Sequence, residues 1–156
     1  MTKNINQQKW TNHFMEMAKL ASTMSKDTTK IGAVIIGERN EVRSTGYNGL
    51  PRGVKDLPER MERPIKYLWT EHAERNAIYN ASLNGTSLLG TTIYIWGANH
   101  PCPDCARAII QSGITTIVMQ KENEATTDKN SSLNKKELYD ISLQMLKEAE
   151  INIISI

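Results

Sequence analysis

Two short stretches carry the side chains of a possible catalytic metal centre: His72-Ala73-Glu74 and Pro101-Cys102-Pro103-Asp104-Cys105. Together they supply one imidazole, two thiols and one spare carboxylate. Zn²⁺ accepts one nitrogen and two sulfurs, and three protein ligands leave its fourth position open for water. Glu74 lies two residues beyond His72 and is not needed as a ligand, so it is free to carry protons. The chemistry expected is hydrolytic. Water activated at neutral pH attacks an amidine-like carbon, leaving a carbonyl and ammonia. One catalytic Zn²⁺ per chain is implied.

The local geometry supports this. Cys102 and Cys105 stand at i and i+3 around a helix start, which turns both sulfurs to one side. A helix N-terminus also favours the thiolate, the form that binds metal. Pro103 suits the first helical position, and Asp104 complements the helix dipole. Three other readings stay open. A lone C-x-x-C also serves as a redox pair. A closed structural zinc site needs a fourth protein ligand, for which His100 is the nearby candidate. A zinc-binding interaction module without turnover needs no free carboxylate. The His-x-Glu pair one structural unit upstream weighs toward catalysis.

Hydrophobic periodicity supplies the elements that must hold these groups. Trp10, Phe14, Met17, Ala18 and Ala21 recur at helical spacing and predict a first amphipathic helix with this stripe as core. Residues 31–36 read as a buried strand, and Val42–Tyr47 as its antiparallel partner. Thr70 is the expected N-cap of a helix with His72 and Glu74 in its first turn. Ala73, Ala77, Ala81 and Ile78 form its packed face, and Asn84-Gly85 ends it. A strand over 91–96, a helix from Pro103 to about Ser112 and a strand over 114–119 follow. Residues 121–134 are polar and read as an exposed loop. Asn134 and Glu137 resemble a capping box before a helix carrying Leu138, Ile141, Met145 and Ala149. Residues 151–156 are the last strand. This order predicts an α/β fold, a three-layer α/β/α sandwich around a five-stranded mixed sheet.

Between the hairpin and the His72 helix, residues 48–69 form a long irregular stretch punctuated by Gly49, Pro51, Gly53, Pro58 and Pro64. A loop of this length in a compact domain is usually functional. Arg52, Lys55, Arg60, Arg63 and Lys66 face Asp56, Glu59 and Glu62 in its composition. They read equally as a solvated surface or as a phosphate clamp, because guanidinium forks match phosphate oxygens. Arg52 and Lys66 are carried forward as candidate substrate contacts.

The bulk properties bound the rest. The 156 residues read as one domain, 1–156, large enough for a real core. A net charge of +2 gives no field that argues for nucleic acid or an anionic membrane. Two cysteines so close together do not form a disulfide framework. The polar start has no signal-peptide core, and no apolar run is long enough to span a bilayer. A cytoplasmic setting with reduced thiols is expected.

The motifs resemble the zinc-dependent cytidine and deoxycytidylate deaminase superfamily, whose signature is H-x-E with P-C-x-x-C. Residues 29–36, 46–53 and 72–78, and the stretch 101–106, are similar to its deoxycytidylate branch. The resemblance implies Zn²⁺ on His72, Cys102 and Cys105, with Glu74 as proton shuttle. It implies that Asn48 hydrogen-bonds the nucleotide and that the Ala73 backbone reads the base carbonyl. It also implies hydrolysis of dCMP to dUMP and a homo-oligomer. Control by dCTP and dTTP, with Mg²⁺ accompanying the effector, belongs to the same picture. Deaminases of free cytosine, guanine or tRNA adenosine share the zinc chemistry and are the alternatives within the class. A tRNA enzyme is expected to be more basic.

Overall fold

In a computed structural model of the protein, residues 2–121 and 135–156 are described. The polar loop expected over 121–134, with its capping residue Asn134, lies outside them except for Lys121. The chain forms α1 (Thr2–Ser22), β1 (Gly32–Ile36), β2 (Val42–Tyr47), α2 (Lys66–Trp69), α3 (Ala73–Leu83), β3 (Thr92–Trp96), α4 (Pro103–Gln111), β4 (Thr116–Met119), α5 (Lys135–Glu148) and β5 (Asn152–Ser155).

Alternation along the strands decides the layering, because successive side chains point to opposite faces. Ala33, Ile35, Ile93, Ile95, Ile117 and Met119 enter one core with Ala73, Ala77 and Ala81 of α3, Ala106 and Ile109 of α4, and Leu146 of α5. Val34, Ile36, Tyr94 and Val118 enter the other, against Phe14, Met15 and Ala18 of α1. A strand covered on both faces has no polar side to show, which is why β1 reads as an unbroken apolar run. The result is the α/β/α sandwich expected from the sequence.

The sheet order is β2-β1-β3-β4-β5. β1 pairs antiparallel with β2 and β3, whereas β3, β4 and β5 run parallel. Two glycines let helices lie close on the strands. A Cβ on Gly32 would stand 2.0 Å from the Ala18 carbonyl oxygen of α1. One on Gly46 would stand 2.4 Å from the Ala73 carbonyl oxygen and 2.3 Å from the Ala77 nitrogen of α3. The second contact seats the start of α3 on the sheet.

Two expectations need correction. Trp10 is exposed and stacks on Phe14, while Met15 is buried in the core. The 21-residue helix turns its packed face slightly away from the stripe read in sequence. The stretch 48–69 is not structureless either, for it holds a 3₁₀ turn at Pro58–Arg60 and the short α2.

Candidate active site

The start of α3 differs from the sequence reading, and the difference shapes the site. Thr70 is the C-cap of α2, not the N-cap of α3: its N–H and its hydroxyl both donate to the Lys66 carbonyl. Glu71 then pairs with Gly49 in an antiparallel bridge, which keeps the backbone extended. Helix geometry therefore begins only at Ala73, with His72 at the N-cap (φ −78°, ψ 154°). Cys102 occupies the same position at the head of α4 (φ −69°, ψ 167°). The His72 carbonyl accepts from the Asn76 N–H at 2.9 Å, and the Cys102 carbonyl from the Ala106 N–H at 2.8 Å. Two helices thus begin alike, each with a metal-ligating residue type at its cap.

These caps bring three donors together. His72 Nδ1 lies 3.5 Å from Cys102 Sγ and 3.4 Å from Cys105 Sγ. All three ligand atoms fall within 4.8 Å of one another. A nitrogen and a sulfur sharing one tetrahedral zinc stand about 3.6 Å apart at ordinary bond lengths. The donor set therefore fits Zn²⁺ in both type and spacing. Among the described residues no other cluster of this kind occurs. His100 is not part of it. Its Nδ1 lies 2.8 Å from Asn99 Oδ1 and its ring meets Tyr139 edge-on.

The electrostatics suit a cation. A hydrogen bond from the Cys105 thiol, opposed by burial and aided by His72, lowers Cys102 to about 4. The same hydrogen bond, with burial, pushes Cys105 up. Zinc takes both sulfurs as thiolates, so its binding is coupled to loss of the thiol protons. Hydrogen bonding to Cys102 raises His72.

Glu74 is 2% exposed, and its Oε2 has no hydrogen-bond partner among the described residues. Burial pushes its carboxyl up, against the pull of His72. A buried oxygen without a partner is costly, and such atoms concentrate where a ligand or reactant supplies the missing bond. Ala73, at the first helical position, is fully buried. Its N–H has no acceptor inside the helix.

The remaining expected contacts divide. The Asn48 side chain is buried and engaged at both ends: Oδ1 accepts from the Ile31 N–H at 2.9 Å, and Nδ2 donates to the Thr29 carbonyl at 2.8 Å. One amide hydrogen of Nδ2 is left for a ligand. Arg52 is exposed and donates to Asn80 Oδ1 of α3. The expectation for Lys66 is corrected. Its ammonium is buried against Asp27 and does not offer an open cation.

Sequence reasoning missed Arg75. It reaches Glu71 ahead of α3 and Asp104 of α4, the latter at 3.2 Å, and so joins the two helix starts. Burial opposes its charge, but the Cys105 sulfur and Glu71 outweigh that and raise its pKa. The i, i+4 spacing from Glu71 was the available signal.

Comparison with known proteins agrees with the geometry. The family model for the cytidine and deoxycytidylate deaminase zinc-binding region matches residues 8–121. An uncharacterized deaminase in the luxG 3′ region of Aliivibrio fischeri is 44% identical over 119 residues, 74% of this chain and 76% of that protein. Human deoxycytidylate deaminase is 36% identical over 126 residues, 76% of this chain and 68% of that protein. The crystal structure of dCMP deaminase from the cyanophage S-TIM5 in complex with dCMP and dUMP has a TM-score of 0.69 at 22% identity, covering 93% of this chain and 95% of that one. Fold and donor set together define a zinc-dependent hydrolytic deaminase. The chain belongs to the cytidine and deoxycytidylate deaminase family.

Proposed function

We propose that the protein converts dCMP and water to dUMP and ammonia, as a single deaminase domain over 1–156. The observation that carries this reading is a buried carboxylate oxygen, at Glu74, without a partner among the described residues, beside one nitrogen and two sulfurs set for a metal. The substrate follows from kinship with human deoxycytidylate deaminase.

His72, Cys102 and Cys105 hold the ion. When bound, Zn²⁺ supplies the Lewis acidity that brings the pKa of a water toward about 7. Glu74 does the proton work. Its raised pKa suits a group that must both take and give a proton. Oε2 accepts a proton from the attacking water and delivers it to the ring nitrogen. A second proton passes the same way to the amine, which leaves as ammonia while the carbonyl forms. In this reading the Ala73 N–H donates to the base carbonyl, and the spare Asn48 amide hydrogen donates to the nucleotide.

For the phosphate, Arg52 is the candidate. Arg60 stacks on Trp69 with 4.1 Å to the ring centre and donates to the Lys55 carbonyl, and Lys66 is buried. Arg52 is exposed and held by a neutral amide, which a phosphate outcompetes. We also propose a homo-oligomer, because Leu68, Tyr79 and Leu83 stand exposed on α2 and α3. Light scattering checks this: a mass of one chain contradicts it. No helix among the described residues is long and apolar enough to cross a membrane.

The test is ammonia release by the zinc-loaded protein from dCMP, deoxycytidine, dCTP, cytosine, adenine and guanine. Preference for dCMP is expected. Activity on a free base without activity on dCMP contradicts the assignment.

A further inference from the structure

The loop joining β2 to α3 leaves and returns at one place. Gly49 and Glu71 exchange two backbone hydrogen bonds, at 3.0 and 2.7 Å. Residues 50–70 are therefore a closed excursion, and Lys66 within it pairs with Asp27 outside it. Lys66 is 5% exposed and Asp27 is 8% exposed. Lys66 Nζ donates to both Asp27 carboxylate oxygens at 2.9 Å. The same carboxylate accepts from the Thr29 N–H at 3.0 Å and the Thr28 hydroxyl at 3.2 Å.

From this pair, contacts run in two directions. The Asp27 N–H donates to Ser25 Oγ at 3.2 Å, and the Ser25 hydroxyl donates to the Asn48 carbonyl at 2.8 Å. Thr29 and Ile31, in the same segment, hold the Asn48 amide. In the other direction, the Lys66 carbonyl accepts both the N–H and the hydroxyl of Thr70, each at 2.8 Å. Thr70 precedes Glu71, whose carboxylate accepts the His72 N–H at 3.0 Å. One ion pair thus joins the segment 25–31, Asn48 and the turn before the metal-ligating His72.

A buried pair of this kind is weak evidence for stability, because desolvation offsets most of the Coulomb gain. What it does fix is a single register between segments far apart in the chain. We propose that Asp27 and Lys66 form a positioning clamp that presets Asn48 and the 50–70 excursion against the His72 turn, so that a nucleotide meets an ordered site. Neither residue touches the reacting atoms; both act through Asn48 and the loop. The kinetic part of this inference rests on the proposed deaminase reading, and the structural part does not.

The experiment compares Asp27→Asn, Lys66→Met and the double variant in the zinc-loaded full chain. The double variant leaves no unpaired buried charge and so keeps the fold where a single variant loses it. The clamp predicts that it retains its zinc, holds kcat within about threefold and raises KM for dCMP about tenfold or more. Amide exchange over 49–71 speeds up about tenfold, while that of β3 and α4 is unchanged. A double variant with wild-type KM and wild-type exchange overturns the clamp. So does a fall in kcat with KM unchanged. Should the double variant not fold, Lys66→Arg carries the test. It keeps the charge and misplaces the head group, so KM rises about threefold at constant kcat. Unchanged KM there overturns the clamp. If wild-type protein releases no ammonia from dCMP, the deaminase reading fails and amide exchange alone decides the clamp.

Discussion

Among the described residues Glu74 Oε2 is a buried acceptor without a hydrogen-bond partner, a cost that a reactant would relieve by completing the bond. Glu74→Gln keeps the shape of the side chain and removes its ability to take a proton. Zinc content is expected to stay at the wild-type level while kcat falls by about 10²-fold or more. Loss of the zinc with the substitution would make Glu74 structural. Arg52→Gln is expected to raise KM for dCMP about tenfold or more and to leave deoxycytidine turnover nearly unchanged, since only dCMP offers a phosphate. Equal losses on both substrates reject the contact. At this level the sequence was uneven as a guide. Cys102 and Cys105 were legible because their spacing and their helix start are local. Lys66 was not, because its carboxylate partner lies 39 residues away and only the folded chain brings the two together.

The two helix starts are set by their neighbours in the fold. Gly46 of β2 lies under Ala73 and Ala77 of α3, leaving no room for a side chain. Gly46→Ala pushes α3 off the sheet and is expected to destabilise the protein by about 1–3 kcal/mol, with weaker zinc binding. A urea midpoint and a zinc titration equal to wild type contradict this. The Asp27–Lys66 contact between α2 and the segment before β1 adds a pH dependence. Burial raises the Asp27 carboxyl, but the Thr29 N–H and the Lys66 ammonium more than offset it and hold its pKa below the ordinary value. An unfolded Asp titrates near about 3.9, so below that value the unfolded chain takes up the proton first. The stabilisation is complete above that value and is lost as the pH falls through the folded pKa. Urea midpoints measured across this acid range should fall in the wild type and fall less in the Asp27→Asn, Lys66→Met double variant. Parallel curves contradict the assignment. The elements themselves were legible where apolar periodicity was strong, as in β1 and the alanine face of α3. The true start of α3 was not, because a bridge between Gly49 and Glu71, formed by closing a long loop, decides it.

The whole molecule is a sheet with a core on each face, and the metal site sits where α3 and α4 begin on one of them. The layering was readable because β1 and β3 need cover on both faces. The closed path from Asn48 back to His72 was not, since no local pattern encodes it. Three donors from two helices converge on one point, so metal binding and folding are coupled. Removal of zinc by a chelator is expected to lower Tm by about 5 °C or more, and zinc alone to restore it. Everything proposed for the reaction depends on His72, Cys102 and Cys105 holding that ion. Elemental analysis of the natively purified protein, with thiol titration before and after chelation, decides the matter. One zinc per chain is predicted, with two thiols that become reactive only when the metal is removed. Protein without zinc, and with Cys102 bonded to Cys105 as a disulfide, would contradict it.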